Sequence, residues 1–165
     1  MESQSSAPEL GRLNEVSSGV YRFGSGRINW YLIEEDGRFT VVDAGLPAHW
    51  GQLVSGLMAL GGSLADVVAL VVTHAHACNV GFAERLRDEA DVTVYVHPDD
   101  EWLLGKPQPL PRGLLARLWR PAIAGYVHGM WRNGRRKTNP VRSVESLADG
   151  ETLDVPGRPR VVHLP

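Results

Sequence analysis

The chain has 165 residues, 43% of them hydrophobic and 22% charged, with a formal net charge of −2. That length suits one domain with a buried core, and the near-neutral balance argues against nucleic acid or an anionic membrane surface as a partner. Cys78 is the only cysteine, which excludes an internal disulfide, and with a polar N-terminus and no bilayer-length apolar run the expected compartment is the cytoplasm.

Residues 1–15, rich in Ser and Glu, read as a flexible N-terminal arm, and 16–165 as the domain. Val20–Phe23, Arg27–Glu34 and Arg38–Asp43 read as three strands of an antiparallel meander. In the second, Ile28, Trp30 and Leu32 share one face. Glu35-Asp36-Gly37 supplies the hairpin turn. Pro47 then suits the first turn of a helix in which Trp50, Leu53, Val54, Leu57 and Leu60 recur at helical spacing before Gly61-Gly62 ends it. Val67–Val72 is an all-apolar strand, as expected when both faces are covered. Asn79 reads as the N-cap of a helix running to about Glu89, and Val92–Val96 as the next strand. The order helix, strand, helix, strand implies parallel pairing by right-handed crossover.

Lys106–Arg112 holds three prolines and reads as a loop. Gly113–Trp131 is amphipathic, with Pro121 expected to split it and its two tryptophans expected to cover something apolar. Val141–Pro165 reads as short β segments with turns at Asp149-Gly150 and Pro156-Gly157.

The chemistry concentrates where the apolar strand ends, at Thr73-His74-Ala75-His76-Ala77. In extended backbone, side chains two residues apart point the same way, so His74 and His76 can converge on one ion. Neutral imidazole is a common ligand and suits zinc. Cys78 follows in the same alternation and, as a thiolate, is a possible third ligand. The bland alternatives are two loop histidines bonded to backbone, a cysteine acting as a small buried hydrophobe, and Asp43 capping the Ala44–Leu46 turn. His49 and His128 read as surface or internally satisfied histidines. Asp99-Asp100-Glu101, after His97, reads as a helix start favoured by the dipole.

Strands first, then Thr-Val-Val-Asp-Ala-Gly (Thr40–Gly45), a helix, and Val-Val-Thr-His-Ala-His: this order resembles the metallo-β-lactamase-fold superfamily of metal-dependent hydrolases. The family signature H-x-H-x-D-H is degenerate here, reading His74-Ala75-His76-Ala77-Cys78-Asn79. The resemblance implies an α/β fold, a partial αββα sandwich comprising the first half and the start of the second. It implies metal ligands at His74 and His76, with Asp43 orienting the site. Cys78 and Asn79 replace the residues that mainly hold the family's second metal, so one weakly held zinc is expected, and Pro165 falls where the next ligand would arrive. His163 does not match that ligand position. The expected activity is attack of zinc-activated water on an ester, thioester, lactone, amide or phosphate in a small-molecule substrate, impaired by lost ligands. The competing expectations are an inactive truncated remnant, whose exposed sheet a second copy or a complementing chain covers, and a metal-binding module without turnover.

Overall fold

The computed structural model describes residues 13–25, 28–104, 112–134 and 138–163. Seven strands form one sheet in chain order: β1 (Asn14–Ser17), β2 (Val20–Ser25), β3 (Ile28–Glu35), β4 (Arg38–Val42), β5 (Val67–Val71), β6 (Thr93–Val96) and β7 (Glu145–Ser146). Pairing is antiparallel from β1 to β4 and parallel from β4 to β7. The expected meander and parallel run are both present. β1 is an addition: Asn14 and Glu15, assigned by composition to the arm, pair with Arg22 and Tyr21. Residues 1–12 of that arm and 106–111 of the proline-rich loop lie outside the described residues.

The β3–β4 turn is built on Asp36 (φ 52°) and Gly37 (φ 74°). Positive φ at both positions is what a two-residue turn needs to match the twist of its strands. Helices α1 (Trp50–Ala59), α2 (Ala83–Ala90) and α3 (Pro98–Leu104) follow the strands they connect. Leu53, Leu57, Ala83, Leu86 and Leu104 from these helices share one core with Trp30, Leu32, Phe39, Val41, Leu70, Val72, Val94 and Val96 of the sheet or its strand ends. Each large apolar side chain buried there contributes about 1.5–3 kcal/mol, so the helix-covered face holds most of the stability. This is an α/β architecture, a partial αββα sandwich.

The opposite face carries a smaller cluster. Val71, Leu147 and Leu153 are buried there with Tyr95, Val155 and Val161 against them. The C-terminal segment folds back across this face, and Thr40 Oγ1 donates to the Pro156 carbonyl at 3.0 Å. Turns with positive φ at Gly150 and Gly157 reverse it where the sequence placed turns.

Pro121 does split the amphipathic stretch, into α4 (Arg112–Leu115) and α5 (Pro121–Arg132). Of its two tryptophans, Trp119 is 79% exposed and Trp131 47%. Val127 and Met130, three apart on one face of α5, are buried. Among the described residues no helix is long and apolar enough to cross a membrane.

Candidate metal centre

The parallel register brings the chemistry to one edge. Val42 pairs with Val71 and Val71 with Tyr95, so the residues just beyond β4, β5 and β6 lie side by side. These are Asp43, the stretch Thr73–His76, and His97–Asp100. The carboxyl ends of parallel strands are where open α/β sheets place their ligand sites.

His74 and His76 are both exposed, and their rings stand nearly perpendicular with centroids 4.9 Å apart. Asp43 lies beneath them, 6% exposed and in the left-handed region at φ 62°. Its carboxylate faces only donors: the Thr73 N–H at 2.9 Å, the Thr73 hydroxyl at 2.8 and 3.0 Å, and Asn79 Nδ2 at 2.8 Å. Burial pushes its pKa above the ordinary value, opposed by the bonds from Thr73 and Asn79 and by the nearby His74.

That arrangement dictates a tautomer. The single hydroxyl proton of Thr73 is committed to Asp43, so toward His74 Nδ1, 3.1 Å away, the oxygen can only accept. His74 therefore carries its proton on Nδ1 and leaves the Nε2 lone pair free. A ring nitrogen fixed by a hydrogen bond on its far side is how proteins prepare imidazole for a metal. The backbone between the two histidines is held as well, because the Ala75 N–H donates to Asp100 Oδ2 at 3.0 Å.

The loop after Cys78 is tied to the loop after Asp43. Ala44 N donates to the Asn79 carbonyl, Gly81 N to that of Gly45, and Phe82 N to that of Ala44. The two backbones approach so closely at Gly81 that a Cβ there would lie 2.4 Å from Gly45 O and Leu46 Cα. Only glycine permits this approach. His49, 2% exposed, braces the same turn: Nδ1 accepts from Leu46 N at 3.1 Å, and Nε2, which then bears the proton, meets Ser25 Oγ at 2.9 Å. Burial holds its pKa below the ordinary value. It is an internally satisfied histidine; His128 is exposed.

One expectation is revised by this geometry. Asn79 does not cap α2, which starts at Ala83 with Phe82 in the cap position. The chain must first turn through Val80 and Gly81 to cross the Ala44–Leu46 loop, so the Asn79 side chain is free to bind Asp43. Cys78 lies in the same loop and is half-buried. Its Sγ donates to Asn79 Oδ1 at 3.0 Å, and it packs against Ile28, Leu46 and Met130 together with Tyr126.

Thr73 and Asp100 are site residues that the motif alone did not single out. The register contained the signal: with Val71 beside Tyr95, positions 73–76 must run alongside 97–100. A cleft of about 580 Å³ opens beside them, lined by His74, His97, Asp99, Asp100 and His163 over a floor that includes Val71 and Leu147.

Residues 24–163 match the family model described as the metallo-beta-lactamase superfamily. A probable metallo-hydrolase, YflN of Bacillus subtilis (strain 168), is 29% identical over 114 residues, 63% of this chain and 43% of the relative. Among solved structures, a metallo-beta-lactamase of Cronobacter sakazakii with a HARLDQ motif superposes with a TM-score of 0.62 at 20% identity, over 87% of this chain and 50% of that one. BJP-1, a subclass B3 metallo-beta-lactamase of Bradyrhizobium japonicum, gives 0.58 at 19% identity, over 83% and 45%. The chain thus spans about half the length of these relatives, and the structural matches bear on the fold.

Proposed function

Because this chain belongs to the metallo-beta-lactamase superfamily, we propose that it is a metal-dependent hydrolase whose ion is held by His74 and His76. The observation that carries this reading is the chain of bonds from Asp43 through Thr73 to His74, which leaves Nε2 unprotonated on a ring whose centroid lies 4.9 Å from that of His76. The donor set suits zinc: two imidazoles, exposed, at the carboxyl edge of a parallel sheet. When bound, zinc supplies Lewis acidity that brings water into the neutral titration range.

The chain's own residues prepare the site. Asp43 positions His74 through Thr73 and holds Asn79, so the two loops keep one geometry. Asp100 fixes the backbone between the ligand pair. The adjoining cleft, about 580 Å³, is of the size that takes a small-molecule substrate. An ester, thioester, lactone, amide or phosphate is the substrate class we infer from the family. Catalytic zinc usually has three protein ligands, so a third comes from outside the loop 73–79, and binding by the pair alone is weak. With Cys78 and Asn79 at the signature's acidic and last histidine positions, this loop serves one ion and turnover is impaired.

The test is a hydrolysis screen over those substrate classes with added zinc, comparing wild type with His74→Ala and His76→Ala. Zinc-dependent turnover lost in both variants supports the reading. Equal rates in all three proteins contradict it.

A further inference from the structure

We propose that His97, Asp99 and His163 form a second divalent-metal site, with a ligand set independent of His74 and His76. One ligand atom from each of the three lies within 4.8 Å of the other two. Two are neighbours in sequence and the third comes from far along the chain. His97 follows β6, Asp99 sits in the first turn of α3, and His163 arrives on the C-terminal segment. That segment is fixed by Val161 N bonded to the Glu151 carbonyl, Gly150 N to that of Val161, and His163 N to Asp149 Oδ1.

The two rings are closer than ordinary packing requires. His163 Nδ1 lies 2.6 Å from His97 Nε2, with centroids 4.0 Å apart. Two imidazole lone pairs cannot face each other at that separation, so a proton or a cation must lie between the rings. The proton can be traced: Asp99 N–H approaches His97 Nδ1 at 3.3 Å, which puts the His97 proton on Nε2, pointing at His163. Two zinc–nitrogen bonds at a tetrahedral angle place their nitrogens about 3.3 Å apart. A small opening of the rings, through the tautomer that frees Nε2, reaches that spacing. The Asp99 carboxylate, 3.6 Å from His97 Nδ1 and largely exposed, is free to turn toward the ion.

Two imidazoles and one carboxylate are a donor set for zinc and neighbouring first-row divalent ions, with a position left open. All three residues line the cleft that His74 also lines. Binding there also ties the C-terminal segment to the end of β6, so the ion clamps the sheet's second face.

Zinc(II) titrations by calorimetry, with elemental analysis of the gel-filtered protein, test this in the full chain. The His74→Ala/His76→Ala protein, altered only at exposed side chains, should still bind one zinc per chain. Adding His163→Ala should abolish that binding, and adding Asp99→Asn should weaken it roughly tenfold or more. Because Asp99 is at the surface, its variant keeps the fold if His163→Ala does not, which circular dichroism reads. Absence of zinc binding in the His74→Ala/His76→Ala protein overturns the proposal, as does unchanged affinity in the Asp99→Asn and His163→Ala derivatives. Neither result bears on hydrolysis at His74 and His76, which is read separately.

Discussion

Replacing Asp43 by alanine perturbs the site at its base. The change removes the acceptor for three donors: Thr73 N, Thr73 Oγ1 and Asn79 Nδ2. A hydrogen bond to a charged group contributes about 1.5–3 kcal/mol, and a buried donor left unpaired costs about 1–3 kcal/mol. Thr73 is exposed and can turn to water, whereas Asn79 is 8% exposed and cannot. Burial of the carboxylate, which raises its pKa, is a cost that the variant escapes. The balance is a loss of about 2–4 kcal/mol. At about 2–4 °C per kcal/mol for a chain of this size, Tm falls by roughly 5–15 °C. Zinc affinity should fall by about 10–100-fold, because the Thr73 hydroxyl proton is released and the His74 tautomer is no longer set. Asp43→Asn, which keeps the shape and one acceptor, should lie between the two. Thermal melts by circular dichroism and zinc calorimetry read both effects. A Tm within about 1 °C of wild type, with zinc affinity unchanged, would refute the network as the organiser of the site.

Further expectations follow from the same geometry. Thr73→Val should weaken zinc by about tenfold or more while Thr73→Ser retains it, because only the hydroxyl joins Asp43 to His74; calorimetry distinguishes them. Gly81→Ala drives a Cβ against backbone atoms of Gly45 and Leu46 and should cost up to about 3 kcal/mol in urea unfolding; a neutral result would mean that the two loops are not held together. Burial alone would raise the Glu84 carboxyl, but Arg87, the Arg142 N–H and both guanidinium charges hold it below its ordinary value of 4.5. A lowered folded pKa stabilises above the unfolded value and is lost as pH falls through the folded one. Tm of wild type should therefore drop faster than that of Glu84→Gln below about pH 4.5, and parallel curves would contradict the assignment.

Much of the fold was legible in the sequence because its periodicities were clean. Alternation in Ile28–Leu32, the Asp36-Gly37 turn and the apolar run Val67–Val72 each have one low-energy reading. β1 was missed because it is an edge strand with all four residues exposed, so no apolar alternation marks it. In Gly113–Trp131 the side chains taken inside are Val127 and Met130, while Trp119 stays 79% exposed despite its size. At the site, the spacing of His74 and His76 and the strand-end Asp43 were visible as local pattern. The partnerships of Asn79, Cys78, Asp100, His97 and His163 depend on which strands lie side by side, and a single motif cannot contain that information. The reading of Asp99-Asp100-Glu101 as a helix start was correct for α3, yet Asp100 also reaches Ala75 once β6 lies against β5.

The most direct measurement is long-range proton–nitrogen NMR of the histidine rings during a zinc titration. Before zinc, His74 should show its proton on Nδ1. As zinc is added, the Nε2 signal of His74 and one nitrogen of His76 should shift together along a single binding curve. If His74 carries its proton on Nε2, or if neither ring responds to zinc, those two imidazoles are not a metal site.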